Sequence, residues 1–586
     1  MAIKGIPYGV TDFDLMRREN YYYVDKTDFI PILEKSEKFV TYLRPRRFGK
    51  TLLLAVLDAY YNVKYKDRFE QYFGDQKVYQ NVTEKHNSYL MMKFNFSKVD
   101  TNIERCQESF NTEILMTLNK FLREYKSYFP EDVYNGFRKI YDSENPKSND
   151  AFKYVLDEAS LLNLRIYVII DEYDNFANAM LSINEEDYKS ITHGDGFFRL
   201  FFNALKALTS GMESPIERIF ITGVSPLTLS DVTSGYNIGS NLSLSETLNS
   251  MVGFTETEVL QMLDYYRKET GVFQHTNDEI MEMIKPWYNN YCFNRRCLKN
   301  DRVFNSDMLW YFLKQYNLNG DFPDEMVDAN ITTDYNKMRM LIRYDKNFDR
   351  KASIIQEIIN NGEITATINP EFSVSELDND DNLVSLLFYL GMLSIRNYEY
   401  GMTVLGIPNH TVEKQFYMYM SKCYDDCISW RSDDYKIDRM GQRMAYRGEA
   451  LEFIEYVISC MTELSSPRDF DPQAEAFVKG FILATMGSKM NFYTIETEVE
   501  LGHGYSDLYI KPMKDAKHSF VIELKYLKTD ASDSEVAAKE KEAESQLRKY
   551  LSDKVDNAKN AAQGISTRGI ILVMRGCKKA VLRYLE

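Results

Sequence analysis

Hydrophobic positions along the chain fall into two kinds of run. Between residues 30 and 210, stretches with apolar residues every three or four positions alternate with short, continuous apolar segments. The first pattern buries one face of a helix and the second buries both faces of a strand, so the alternation predicts a parallel α/β layer. Strands are expected at 39–43, 90–94, 166–170 and 219–222. From about 255 to 360 the spacing is mainly helical, with many Tyr, Met and Asn. The polar stretch 361–382, with Asp378, Asp380 and Asp381, predicts a loop or boundary. A helical run at 383–390 and short strands at 392–396 and 403–407 follow, which is the order of a small winged-helix-like module. Residues 411–465 are helical in spacing, and from Phe470 the order becomes helix, strand, strand, helix, strand, ending in the buried-type run 569–574. The expected α/β multidomain division is 1–250, a helical subdomain at 251–360, a winged-helix-like and helical linker at 361–468, and a C-terminal α/β domain at 469–586.

Composition narrows the class. A chain of 586 residues with 44% hydrophobic residues can bury several cores. Its 87 acidic and 71 basic residues give a net charge of −16, which excludes a basic coat for nucleic acid over the whole chain but not over one domain. Seven cysteines without a CxxC spacing predict buried thiols in a reducing cytoplasm, and six scattered histidines offer no zinc spacing. No apolar stretch approaches the roughly 20 residues of a membrane helix, and the start lacks a signal-peptide core. A cytoplasmic protein is expected.

The first chemistry-bearing segment is Arg44-Pro45-Arg46-Arg47-Phe48-Gly49-Lys50-Thr51, placed between an expected strand and an expected helix. A phosphate loop needs that context, with backbone N–H groups at a helix start, Lys50 on phosphate and Thr51 on Mg²⁺. Arg44 stands where the general pattern has its first glycine, so Arg44, Arg46 and Arg47 are expected to add charge to the loop with Gly49. The apolar run at 166–170 ends in Asp171-Glu172, where Asp171 would bind the metal and Glu172 would polarise the attacking water. Asp174 is a further acid, and Thr222 or Ser225 could sense the terminal phosphate.

The second segment lies near the C-terminus. Side-chain alternation puts Glu523 and Lys525 on one strand face, and a hairpin would bring Asp507 alongside Glu523. Two carboxylates beside a lysine suit Mg²⁺, or Mn²⁺, and phosphodiester cleavage. Glu475, Gln546 and Tyr550 are supporting candidates, the last two sharing one helix face at i, i+4 spacing. Glu498 and Glu500 could also reach the metal. Residues 471–586 hold 18 Lys and Arg against 17 Asp and Glu, so this segment is +1 while the remainder carries −17. Arg568, Arg575, Lys578, Lys579 and Arg583 could touch a phosphate backbone.

Together with Ile6–Phe13, Tyr23–Thr27, Ile221–Pro226, Trp287–Phe293, 386–393, Ile407–Asn409 and Gly504–Asp507, these motifs cover nearly the whole chain. It resembles bacterial proteins in which an AAA-ATPase-like domain precedes a PD-(D/E)xK nuclease domain. The Arg44–Thr51 loop is similar to that family's own phosphate loop, and Gln546 with Tyr550 resembles the motif of RecB-like nucleases. The resemblance implies a P-loop AAA-like fold followed by a restriction-endonuclease-like fold. ATP and Mg²⁺ are the expected cofactors, and nucleic acid, DNA before RNA, is the expected partner. A homo-oligomer is a further expectation. The competing expectations are a nucleotide-binding signalling switch whose C-terminal domain is non-catalytic, and an ATPase that remodels nucleic acid without cutting it.

Overall fold

The computed structural model describes residues 2–585 apart from 182, 210–213, 234–238, 300, 329–353, 356, 360, 419–432, 465–473, 491, 501–504, 514, 553–559, 561–563 and 577. The chain forms two compact units, Met1–Phe348 with Thr365–Asn409, and Asp349–Ile364 with His410–Glu586. The region 361–468 therefore contributes to both. No helix among the described residues is long and apolar enough to cross a membrane.

The first unit is built on five strands: β1 (Phe39–Leu43), β2 (Leu90–Asn95), β3 (Ile166–Asp171), β4 (Ile216–Gly223) and β5 (Ser240–Asn241). Their order is β2-β3-β4-β1-β5, and every pairing is parallel. Parallel neighbours need crossovers, supplied here by α1 (Lys50–Tyr61) and by helices Ile103–Glu124, Ser148–Leu161 and Phe197–Thr209. β3 is buried along its whole length, as its Val and Ile run requires. β4 lies between β1 and β3. Register sets Leu43 against Gly223 and Asn95 against Asp171, so the carboxyl ends of these strands meet at one edge.

Helices Glu256–Thr270 and Asn277–Tyr288 each start in a capping box, and α2 (Ser306–Asn319) follows. α3 (Asp380–Tyr389) begins before the apolar run that predicts it. Asn379 caps its N-terminus, and Asp380 and Asp381 occupy the first turn, where the helix dipole favours acids. The acidic stretch is thus partly a helix start and not only a loop. An antiparallel hairpin follows, β6 (Ser394–Glu399) and β7 (Met402–Gly406).

The second unit holds α4 (Ala474–Lys489), β8 (Tyr493–Glu500), β9 (Tyr505–Pro512), β10 (His518–Leu527), α5 (Asp533–Leu551), β11 (Ser566–Arg575) and β12 (Lys578–Tyr584). The sheet runs β8-β9-β10-β11-β12, antiparallel except where α5 carries the chain from β10 to the parallel β11. Ala543, Leu547 and Tyr550 of α5 pack on Tyr509, Val521, Ile571 and Val573 of the sheet.

Candidate functional site

The turn between β1 and α1 is held open by two left-handed residues, Arg47 (φ +67°) and Gly49 (φ +90°). Gly49 is the helix N-cap and offers no side chain to the first N–H groups, which stay available to an anion. Lys50 Nζ donates to the carbonyls of Arg44 (2.9 Å) and Pro45 (3.0 Å). Burial pushes its pKa down, while Glu172, Asp171 and Asp174 pull it back.

The three arginines do different things. Expected among the phosphate ligands, Arg44 is instead 1% exposed, between the rings of Tyr42 and Phe293 at 4.3 and 4.0 Å. Its guanidinium donates to the carbonyls of Leu43 (2.9 Å), Ser243 (2.6 Å), Leu248 (3.2 Å) and Asn249 (3.4 Å). It stands behind the loop and anchors it. Arg47 pairs with Asp307 at the start of α2 (2.9 Å) and lies 3.9 Å from Asp328, which accepts a hydrogen bond from Tyr8. Arg46 is half-buried, close enough to Lys50 to disfavour its charge.

Across β4, the Thr51 hydroxyl donates to Asp171 Oδ2 at 3.0 Å. Asp171 Oδ1 is buried without a hydrogen-bond partner. Burial, and then the charge of Glu172, raise the Asp171 pKa. A buried carboxylate oxygen with no donor beside a threonine hydroxyl suits a hard cation. Glu172 has a left-handed backbone (φ +52°), a strained state for a side chain of this size, and lines a cavity of about 270 Å³. Gly49, Lys50, Thr51, Tyr22, Phe254 and Trp310 also line it.

Asp174 serves the scaffold, accepting from Val224 N (3.1 Å), Ser225 N (2.8 Å) and Asn178 Nδ2 (2.8 Å). The Thr222 hydroxyl is used on the Tyr42 carbonyl (2.8 Å), whereas Ser225 Oγ is buried and unpartnered. Sequence reasoning assigned no role to Trp287–Phe293, yet Phe293 covers Arg44 and Tyr291 packs edge-on against Phe48 (4.8 Å). An added Cβ on Gly391 would stand 2.7 Å from the Pro45 side chain, so the α3–β6 junction also presses on this loop.

In the second unit, Asp507, Glu523 and Lys525 share the sheet face covered by α5, because they alternate in step with Tyr509 and Val521. The β9–β10 ladder ends at Leu508 against Ile522, which leaves Asp507 and Glu523 opposite one another just beyond it. Asp507 Oδ2 accepts from Leu524 N at 2.7 Å, and Lys525 Nζ donates to Glu523 Oε1 at 2.7 Å. Glu523 is 2% exposed. Tyr550 of α5 is buried, and Gln546 Oε1 is buried without a hydrogen-bond partner. The Glu542 carboxyl, also on α5, is held below its usual range first by Lys539 and last by Lys525.

Glu475 lies in α4, and Glu498 and Glu500 lie in β8, but their side chains fall outside the described residues, as does Gly504. Among the described residues no three His, Cys, Asp or Glu cluster as a metal site. Asp507 and Glu523 are, among the described residues, the two carboxylates that could hold a cation here. Of the basic residues near the C-terminus, Arg575 pairs with Asp533, Lys579 with Glu455, and Arg583 with Glu540 and Glu544. Arg568 donates to the Gly448 carbonyl. These four have partners within the chain, at partly exposed positions for Arg575, Lys579 and Arg583, and Lys578 is exposed.

Comparison with known proteins adds the family context. Residues 7–233 match the family model described as predicted AAA-ATPase, and residues 473–580 match that of the PD-(D/E)XK nuclease superfamily. An uncharacterized protein in the vnfD 5' region of Azotobacter chroococcum mcd 1 is 23% identical over 332 residues, 54% of this chain and 53% of the relative. The chain thus spans about half the length of that relative. The crystal structure of Cdc6p from Pyrobaculum aerophilum aligns at 10% identity and TM-score 0.25, over 68% of this chain and 93% of that one, a likeness too slight to carry an argument.

Proposed function

We propose that this chain, which carries an AAA-ATPase-like domain and a PD-(D/E)XK nuclease superfamily domain, is an ATP-binding, metal-dependent nuclease in which the first domain regulates the second. These two domains give it ATPase and nuclease potential, with nucleotide and a divalent metal as the usual cofactors of such families. The observation that carries the reading is the convergence of Asp507, Glu523 and Lys525 on one sheet face, with Asp507 fixed by the Leu524 N–H.

Asp507 and Glu523 would hold a divalent cation, Mg²⁺ or Mn²⁺, which would supply Lewis acidity and a water of lowered pKa. Lys525 then orients the water and offsets negative charge developing on the phosphodiester. Gln546 and Tyr550 support this face from α5, with Glu475 as a further acid. DNA is the preferred substrate over RNA, and defence or repair is the setting.

In the first unit, the loop N–H groups, Gly49, Lys50 and Arg46 take the phosphates of ATP, while Thr51 and Asp171 hold its Mg²⁺. Glu172 polarises the water, and the aromatic cavity beside the loop takes the base. Arg44 and Arg47 position the loop, the first through carbonyls and the second through Asp307. The cytoplasm is the setting.

The deciding measurement is cleavage of plasmid and single-stranded substrates in Mg²⁺ and Mn²⁺, with and without ATP. Lys525→Ala is expected to lower cleavage by at least about 10²-fold, the scale on which a preorganised charge stabilises a transition state. Absence of cleavage by the wild type under every condition overturns the reading in favour of a nucleotide-dependent switch acting through protein partners.

A further inference from the structure

We infer that the β6–β7 hairpin tip and the basic turn beside it form a docking surface for single-stranded nucleic acid in the first unit. The two-residue turn joining these strands is Tyr400-Gly401, with φ of +51° and +87°. A turn with both central residues left-handed ordinarily carries Asn, Asp or Gly at its first central position. A bulky side chain there strains the backbone, and such strain persists where function holds it. The Tyr400 ring recovers nothing by packing, since it is fully exposed (103% of the reference area). Tyr398 and Met402 flank it at 41% and 43% exposure. Register pairs Tyr398 with Thr403 and Met402 with Glu399, so Tyr398 and Met402 stand on opposite faces of the hairpin behind the Tyr400 tip.

Cations lie next to the tip. The turn Arg295–Cys297 packs against β6, and the Arg295 guanidinium lies 4.2 Å from the Tyr398 ring centroid. Arg296 and Lys299 are exposed on the same segment. Two acids stand nearby: Glu246 pairs with Arg296 (3.1 Å), and Glu399, on the face opposite Tyr398, accepts from Asn397 Nδ2 (2.6 Å) and keeps its charge. An exposed ring stacks on any unpaired base, and flanking cations meet the phosphates. An exposed tyrosine tip with the Arg295 cation against its Tyr398 face suits a polyanion with open bases better than an apolar protein surface. The choice of nucleic acid over protein rests on the nuclease reading, and the experiment separates the two.

Fluorescence anisotropy with a labelled single-stranded oligonucleotide, using the full chain with Lys525→Ala to prevent cutting, reads the affinity. Adding Tyr400→Ala is expected to weaken binding about tenfold or more, and Tyr400→Phe to preserve it. Tyr400→Asn relieves the turn and is expected to raise Tm while losing affinity, which excludes misfolding as the cause. Arg295→Ala with Arg296→Ala should reduce the salt dependence by about 0.7 in log–log slope per lost phosphate contact. Unchanged affinity in Tyr400→Ala overturns the inference. Binding of duplex alone overturns it too, as does a Tyr400-dependent self-association in sedimentation with oligonucleotide binding intact. Tyr400-dependent binding in a protein whose wild type never cleaves supports the docking surface while removing the nuclease reading. Cleavage by wild type with Tyr400-independent binding does the reverse.

Discussion

At Asp171, burial opposes ionisation and the neighbouring Glu172 charge adds to it, so the carboxyl titrates above its usual range. Asp174 shifts the same way, again through burial first and Glu172 second. The unfolded carboxyls release their protons near pH 3.9, and between that pH and the raised folded value only the folded chain keeps them. The stability they contribute is complete below that window and is lost as pH rises through it. Asp171→Asn is neutral at every pH, so it is expected to raise the Tm of the nucleotide-free protein above the window. It should also abolish the Tm gain expected of the wild type with Mg²⁺ and ATP. Thermal denaturation across a pH series checks both, and an Asn variant that still gains Tm with Mg²⁺ and ATP removes Asp171 from the cation site. The acid pair at 171–172 was legible in the sequence because an apolar strand delivers it. The burial of Arg44 was not, because its carbonyl partner on Ser243 lies 199 positions further along the chain.

Elements place these residues, and the start of α1 shows how narrowly. A Cβ on Gly49 would meet only Ser306 Oγ, at an ordinary 3.5 Å, so space is not the obstacle. The obstacle is the backbone at φ +90°, where a Cβ costs about 1–2 kcal/mol. Gly49→Ala is expected to lower stability by about that much in chemical denaturation. Nucleotide affinity should fall further than stability, because the loop relaxes by turning its N–H groups away. Equal losses in the two measurements would reduce Gly49 to a turn residue. Continuous apolar runs made the strands of the parallel sheet legible, and period-two alternation put Glu523 and Lys525 on one face. The start of α3 escaped because acids that favour a helix N-terminus look locally like those of a solvated loop.

For the molecule as a whole, two compact units are expected to unfold in two thermal transitions. ATP with Mg²⁺ should raise only the transition of the first unit, because a ligand stabilises the body that binds it. Scanning calorimetry with and without nucleotide reads this, and a shift of both transitions by ATP would show that the two cores melt as one. Local patterning located helices and strands across 361–409 but not their return to the first unit, which depends on pairings distant in sequence. That return, Thr365–Asn409, has a consequence for the order in which the protein comes into being. The ribosome must release Gly391 before it can press against Pro45 and close the wall around the Arg44–Thr51 loop. Asp349–Ile364 emerges earlier and waits for partners beyond residue 410. The newborn chain therefore passes a period on the order of seconds with its first unit incomplete. Under the proposed function, nucleotide loading is expected only once synthesis of the second unit is under way.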